Sequence, residues 1–511
     1  MKKIYRLLYS NKFVAMVMLL MQIITFVAMY IWISDYSKVL FGLSTVLSAV
    51  LIIFEINRTE ESTFKMTWIT LIAIIPIFGA LFYLFTRAQG VSMNIGDDYK
   101  NIQEANKKYL VQDEDVMKNI YQTDKNQDGF ARYLSKYGGS PAYTNTGVQY
   151  YSIGERMFED MKKELLKAEK FIFLEFFIIN HTSRMWNEIL EILKKKVKQG
   201  VEVRVMYDGM GCIVTLPRKY NEYLERQGIK CRIFSPIVPL LSTHQNNRDH
   251  RKIMVIDGAT AFCGGINISD EYINEKMRFG HWKDTGFMLR GEAVAGFTAM
   301  FLEMWNVNDE HIEDCGEYIQ ASKKYSISTD GFVIPFGDTP LDEVYIGKRA
   351  YINNLNNASE YTYIMTPYLV IDDEMYECMK YAAQRGVDVK IIMPHIPDKK
   401  YAFYLARTYY KELLKAGIEI YEYTPGFVHA KMSISDGKKA IVGTVNHDYR
   451  SLYLHYECAA YMLNVPAVMD IERDFKDTLE LSQQITLEDV KHFNIFTKIL
   501  GHIIRLVAPL L

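Results

Sequence analysis

One short pattern, His-x-Lys-x-x-x-x-Asp, occurs twice in this chain and constrains its fold more than any other feature. It stands at His250, Lys252 and Asp257, and again at His429, Lys431 and Asp436. Each copy is followed by a glycine-led turn that ends in asparagine, GGIN at 264–267 and GTVN at 443–446. The histidines are 179 residues apart (429 − 250), and so are Asn267 and Asn446 (446 − 267). A single triplet of this kind arises by chance in roughly one chain in thirty at average residue usage. Two copies in register, each with the same following turn, mark a duplication.

The flanking sequence repeats as well. KFIFLEFF (170–177) corresponds to YTYIMTPY (361–368), both aromatic and β-branched runs of strand length. KQGVEVRVMY (198–207) corresponds to QRGVDVKIIM (384–393), each a helix end, a glycine stop and a strand. Strands alternating with helices predict an α/β fold, an α-β-α sandwich in each half, with the halves related by a pseudo-twofold axis. Residues i and i+2 of a strand share a face, so each histidine lies beside its lysine.

That pairing suits phosphate chemistry. A neutral imidazole is a nucleophile and an imidazolium an acid, and both forms are accessible near pH 7. Lysine is a compact cation for a phosphate oxygen. The glycine-led turn adds backbone N–H groups and an asparagine amide for an oxyanion. Two such sets facing each other form an inventory for phosphodiester exchange without a metal. In sequence no His, Asp and Glu lie at metal-ligand spacing, and no GxSxG nucleophile elbow is present. A net charge of −2 argues against a general nucleic-acid binder. Six scattered cysteines exclude a dense disulfide scaffold.

The first ninety residues differ in character. Apolar stretches at 13–33, 40–56 and 68–85 are candidate transmembrane helices, the last interrupted by Pro76 and Gly79 and able to kink or re-enter. Lys2, Lys3, Arg6 and Lys12 place the N-terminus on the cytoplasmic side. The expected organisation is a membrane anchor of two or three helices at 1–90, a linker and helical segment at 91–140, sandwich domains at 141–320 and 321–488, and a C-terminal amphipathic helix at 489–511. DKNQDG (124–129) opens like a calcium loop but has Ser135 where the bidentate acid belongs, and reads as a solvated turn.

At its paired motifs the chain resembles the phospholipase D superfamily, and it is most similar to the bacterial cardiolipin synthases. FCGGINISDEY, TPYLVIDDE, GTVNHDYRS and the N-terminal WITLIAIIPIFGALFYLF carry the closer match, over almost the whole chain. The resemblance implies a multi-pass enzyme of the cell membrane that needs no cofactor and no nucleic acid. It implies transfer of a phosphatidyl group between two phosphatidylglycerol molecules through a phosphatidyl-histidine, giving cardiolipin and glycerol. Hydrolysis, or transfer to another alcohol, is the alternative on the same machinery. Which imidazole attacks stays open. By the same resemblance Lys252, Lys431, Asn267 and Asn446 bind phosphate, and Asp257 and Asp436 are mainly structural. Asp284 would orient His250, and Glu457 would orient His429. Two departures from the family pattern, Gly286 in WKDTG and His455 in LHYE, bear on acceptor preference.

Overall fold

The computed structural model describes residues 35–87, 92–236, 246–307, 312–342 and 344–510, with Ile24 and Asp309. The chain forms two compact units, one built from its N-terminal and C-terminal ends and the other from 95–236 and 248–501.

In the first unit the stretch at 13–33 lies outside the described residues apart from Ile24. The stretch at 40–56 falls within the helix Asp35–Ile56. The stretch at 68–85 is not one helix but two, Ser62–Ile74 and Pro76–Arg87. Proline at 76 has no N–H to continue the first helix, and its ring excludes the helical path. The two pieces fold back on each other, and a side chain at Gly79 would come within 2.5 Å of the Leu71 carbonyl oxygen. At 1.5 Å per residue, 13 residues reach about 20 Å, short of a hydrocarbon core. The third expected span is therefore a helical hairpin. Among the described residues, no helix is long and apolar enough to cross a membrane.

The second unit contains two sheets built to one plan. The first uses β1 (Thr146–Tyr151), β2 (Phe171–Phe176), β3 (Glu202–Asp208), β4 (Lys230–Phe234), β6 (Lys252–Ile256), β7 (Thr260–Gly264) and β9 (Gly286–Gly291), in the order β1-β9-β7-β6-β2-β3-β4. The short strands β5 (Arg248–Asp249) and β8 (His281–Lys283) stand apart from it. The second uses β10 (Phe332–Asp338), β11 (Tyr361–Met365), β13 (Asp388–Pro394), β14 (Glu419–Tyr423), β16 (Met432–Ser435), β17 (Lys439–Gly443) and β19 (His455–Leu463). Their order, β10-β19-β17-β16-β11-β13-β14, repeats the first strand for strand. The short β12 (Leu369–Val370), β15 (Gly426–Val428) and β18 (His447–Asp448) stand apart from it, β18 paired with β12, and β20 (Ser482–Ile485) extends its edge. Strands β2, β3, β6 and β7 are buried almost throughout, as a sheet covered on both faces requires.

The two sheets do not form separable cores. One apolar cluster joins Phe173, Phe287 and Phe301 of the first half to Val428, Met432 and Tyr456 of the second. Of the expected linker and helical segment, residues 95–140 are largely helical and part of the same body. Helices Ser92–Lys107, Glu114–Thr123 and Lys125–Gly138 bring Tyr99 and Ile102 into that cluster and set Phe130 edge-on to Tyr461, with ring centroids 5.2 Å apart. DKNQDG is the start of the third of these helices, where the Asp124 carboxylate accepts a hydrogen bond from the Asn126 N–H. The expected C-terminal helix is two, Leu487–His492 and Ile495–Arg505.

A buried ion pair also ties the halves. Lys283 donates to both Asp474 oxygens at 2.7 and 2.9 Å, and Tyr150 reaches the same carboxylate. Lys283→Ala leaves Asp474 buried without its cation, and a loss of about 3–5 kcal/mol is expected. Chemical denaturation should show a lower midpoint at an unchanged slope; an unaltered midpoint would mean the pair holds nothing together.

Candidate active site

The motif's spacing follows from a hairpin. β6 and β7 run antiparallel, as do β16 and β17. Each turn begins with Asp-Gly, with Asp257 at φ 55° and Gly258 at 66°, and Asp436 at 54° and Gly437 at 62°. Two consecutive positive φ values define the type I′ turn that suits strand twist. The aspartate carboxylates then cap the start of the neighbouring strand. Asp257 accepts from the Glu169, Lys170 and Phe171 N–H groups at 2.7–2.8 Å. Asp436 accepts from Ser359, Glu360 and Tyr361. Five residues of strand, about 16 Å, separate these carboxylates from the lysines. Asp257 and Asp436 belong to the motif but stand outside the site.

At the other end of the strands the halves complete each other. β5 pairs in parallel with β19, Arg248 opposite His455 and Asp249 opposite Tyr456. β15 pairs in parallel with β8, Phe427 opposite Trp282 and Val428 opposite Lys283. One residue further along each ladder a histidine meets a carboxylate from the other half. His250 Nδ1 lies 2.9 and 3.0 Å from the two Glu457 oxygens, and His429 Nδ1 lies 2.7 Å from Asp284 Oδ2. This reverses the expected partners, Asp284 for His250 and Glu457 for His429. Sequence proximity assigned each acid to its own half, whereas the strand pairing delivers it to the opposite one.

Both glycine-led turns serve these carboxylates. A side chain at Gly265 would fall 2.0 Å from Asp284 Oδ1. The equivalent position in the second half is Thr444, whose hydroxyl donates to Glu457. Sequence reading passed over Thr444 because it aligns with a glycine. Asn267 and Asn446 are both buried, but they differ. The Asn267 carbonyl accepts from the Ile178 N–H and its amide donates to Tyr272. Among the described residues Asn446 Oδ1 has no hydrogen-bond partner. Asn267 is thus largely committed to the fold, a correction to its expected equivalence with Asn446. Lys252 and Lys431 are fully buried, and each donates to the carbonyl of the histidine two residues before it. Gly286 leaves room for the Met157 thioether, which a side chain there would meet at 2.4 Å.

Burial governs the charges. It drives Lys431 down to about 7, with Lys252 adding repulsion against the pull of Asp284. Burial, then Lys431, pushes His429 down to about 4. Burial, then Lys252 and His455, holds His250 well below its ordinary value. Against the burial that would raise it, His429 and Lys431 keep Asp284 below the usual carboxylate range. Glu457 moves the other way, raised by burial that Lys252 only partly offsets. The lysines act across the halves, Lys431 on His250 and Lys252 on His429, so the two sets share one field.

Among the described residues one set of side chains has metal-ligand spacing, His250, His455 and Glu457, with ligand atoms within 4.8 Å of one another. Sequence spacing missed it because its members come from both halves. The set is a poor fit for a cation. Glu457 is already hydrogen-bonded to His250, Arg450 Nε donates to His455 Nε2 at 3.1 Å, and Lys252 stands beside the carboxylate.

Comparison with known proteins agrees with this geometry. Residues 161–305 and 351–479 match the family model described as "Cardiolipin synthase, PLD-like domain", and 45–87 match "Phospholipase_D-nuclease N-terminal". A cardiolipin synthase of Alkalihalophilus pseudofirmus is 33% identical over 95% of this chain and 97% of its own length. Cardiolipin synthase 2 of Bacillus anthracis is 33% identical over 90% and 89%. An uncharacterized protein of Streptococcus mutans is 49% identical over 90% and 99%. The crystal structure of phosphatidylserine synthase from Haemophilus influenzae superposes with a TM-score of 0.53 at 13% identity, over 71% of this chain and 93% of that one. The fold and the paired motif define an enzyme, a phosphatidyltransferase of the phospholipase D superfamily. Within that superfamily the chain belongs to the cardiolipin synthase family.

The buried imidazoles set a pH dependence of stability. His429 is pushed down to about 4 and His447, by burial alone, to about 3. Both stay neutral in the fold where histidines of the unfolded chain, near their ordinary 6.5, take up protons. The unfolded state binds more protons below pH 6.5, so this stability is present above that value and is lost as the pH falls toward 4. Thermal melts should decline through this window, less steeply for His447→Phe. A flat profile would rule out buried neutral rings.

Proposed function

We propose that the enzyme joins two phosphatidylglycerol molecules into cardiolipin and releases glycerol, using His250 and His429 as the nucleophile and the acid–base. One imidazole attacks the phosphorus while the other, protonated, gives its proton to the departing glycerol oxygen. The resulting phosphatidyl-histidine is resolved by the hydroxyl of a second phosphatidylglycerol, whose proton returns to the acid–base. Atoms balance: one P–O bond breaks and one forms in the net reaction, and splitting the displacement in two lowers each barrier. Lys252, Lys431, Asn446 and the remaining N–H of Asn267 hold the phosphate oxygens. Asp284 and Glu457 fix ring orientation and support the imidazolium.

The observation that carries this reading is the pair of histidines, each hydrogen-bonded through Nδ1 to a carboxylate of the opposite half, so that Nε2 is the reactive atom in both. The unlike carboxylates support unlike roles, because an ionised Asp284 stabilises a proton on His429 more than a raised Glu457 does on His250. The lipid substrate places the enzyme at the cell membrane. We assign anchorage to residues 1–90, assisted by the helix Ile495–Arg505, which exposes Ile495, Phe496, Ile499 and Ile503 with Lys498 among them.

Purified enzyme in phosphatidylglycerol micelles should give cardiolipin and glycerol in equal amounts, unaffected by excess chelator. Phosphatidic acid as the main product would make it a hydrolase. His250→Ala and His429→Ala should each lose about 10³-fold or more in kcat. Asp284→Asn and Glu457→Gln should lose about 10²-fold or more. Full activity without either histidine would overturn the scheme.

A further inference from the structure

The duplication is imperfect in one place that touches the reaction. Trp282 and His455 are equivalent residues, each two positions before the carboxylate on its strand. Beside His429 the surroundings are aromatic: ring centroids of Trp282, Tyr272 and Phe427 lie 5.2, 5.6 and 5.8 Å from it. Beside His250 stand Phe177 at 5.1 Å and His455 at 5.5 Å. Behind His455 the character is cationic. Arg450 Nε donates to its Nε2, and the charges of Arg450, Lys399, Arg248 and Lys252 all bear on this ring. Arg248 is buried and accompanied by Asp208 at 3.6 Å, Arg450 is half-buried, and Lys399 is exposed.

The reacting phosphorus is served by the two motif lysines. Joining two phospholipids brings a second phosphodiester that stays intact and sits one glycerol bridge away. A symmetric pair of halves gives it no preferred side, whereas an indole on one side and an imidazole backed by a guanidinium on the other does. We propose that His455 and Arg450, with Arg248 opposite His455 on the paired strand, form a subsite for the intact phosphodiester of the acceptor lipid, next to His250. A planar guanidinium that also donates to His455 suits such a group. Water brings no negative charge to this place and a phospholipid acceptor does, so the subsite favours transfer over hydrolysis.

This inference rests on the transferase reading, and two reactions of the full-length enzyme separate them. Cardiolipin formation uses an acceptor with a phosphodiester. Exchange of the headgroup for radiolabelled free glycerol uses an uncharged one and needs the same catalytic groups. In mixed micelles Arg450→Gln and His455→Leu should lower cardiolipin formation about tenfold or more, the loss of one charge-assisted hydrogen bond. Glycerol exchange, which also reports that each variant is folded, should stay within about twofold. Arg450→Lys should recover part of the difference. Equal losses in both reactions, or unchanged cardiolipin formation, would overturn the subsite. A wild-type enzyme that exchanges glycerol yet makes no cardiolipin would instead overturn the transferase reading.

Discussion

The exchange of carboxylates between the halves is the interaction on which the rest depends. His250 takes its acid from β19 and His429 takes its acid from the residue after β8, because β5 and β15 each add a short parallel rung to the other half's strand. The main-chain N–H of His250 donates to the Tyr456 carbonyl and that of His429 to the Lys283 carbonyl. The ladders therefore fix both the backbone and the side chain of each histidine. The shared apolar cluster and the Lys283–Asp474 pair keep the ladders in register.

Enclosing the lysines and histidines strengthens every charge among them, since little water remains to screen it. The site holds imidazoles and an ammonium group that burial pushes toward their neutral forms. A phosphodiester reverses that balance by bringing the negative charge the lysines lack. In the proposed reaction the substrate thus helps to create the protonation states that are used, with two ammonium groups and an amide to polarise phosphorus.

Much of this was legible in the sequence. Repetition at a fixed offset gave the duplicated α/β plan, and strand periodicity put each histidine beside its lysine. Asp284 and Glu457 were identified, but with their partners interchanged, because pairing across halves depends on strand register and leaves no trace in local spacing. Thr444 was passed over for a related reason, since it matters through a group on another strand, whereas His455 stood out in sequence as a departure bearing on acceptor preference. Asn267 and Asn446 look identical in sequence and differ because Tyr272 and the Ile178 N–H engage only the first. The stretch at 68–85 allowed one span by its hydropathy or a kinked, re-entrant element by its Pro76 and Gly79, and the missing N–H at Pro76 divides it into two helices.

A chain in which each half finishes the other's catalytic pair also carries a historical constraint. A protein with only one copy of the motif would have had an imidazole without its acid until a second molecule docked against it. The strand exchange between β5, β19, β8 and β15 therefore has the form of a homodimer contact carried within one chain, and a recombination that replaces one half alone keeps both histidine–carboxylate pairs only if it preserves those four strands.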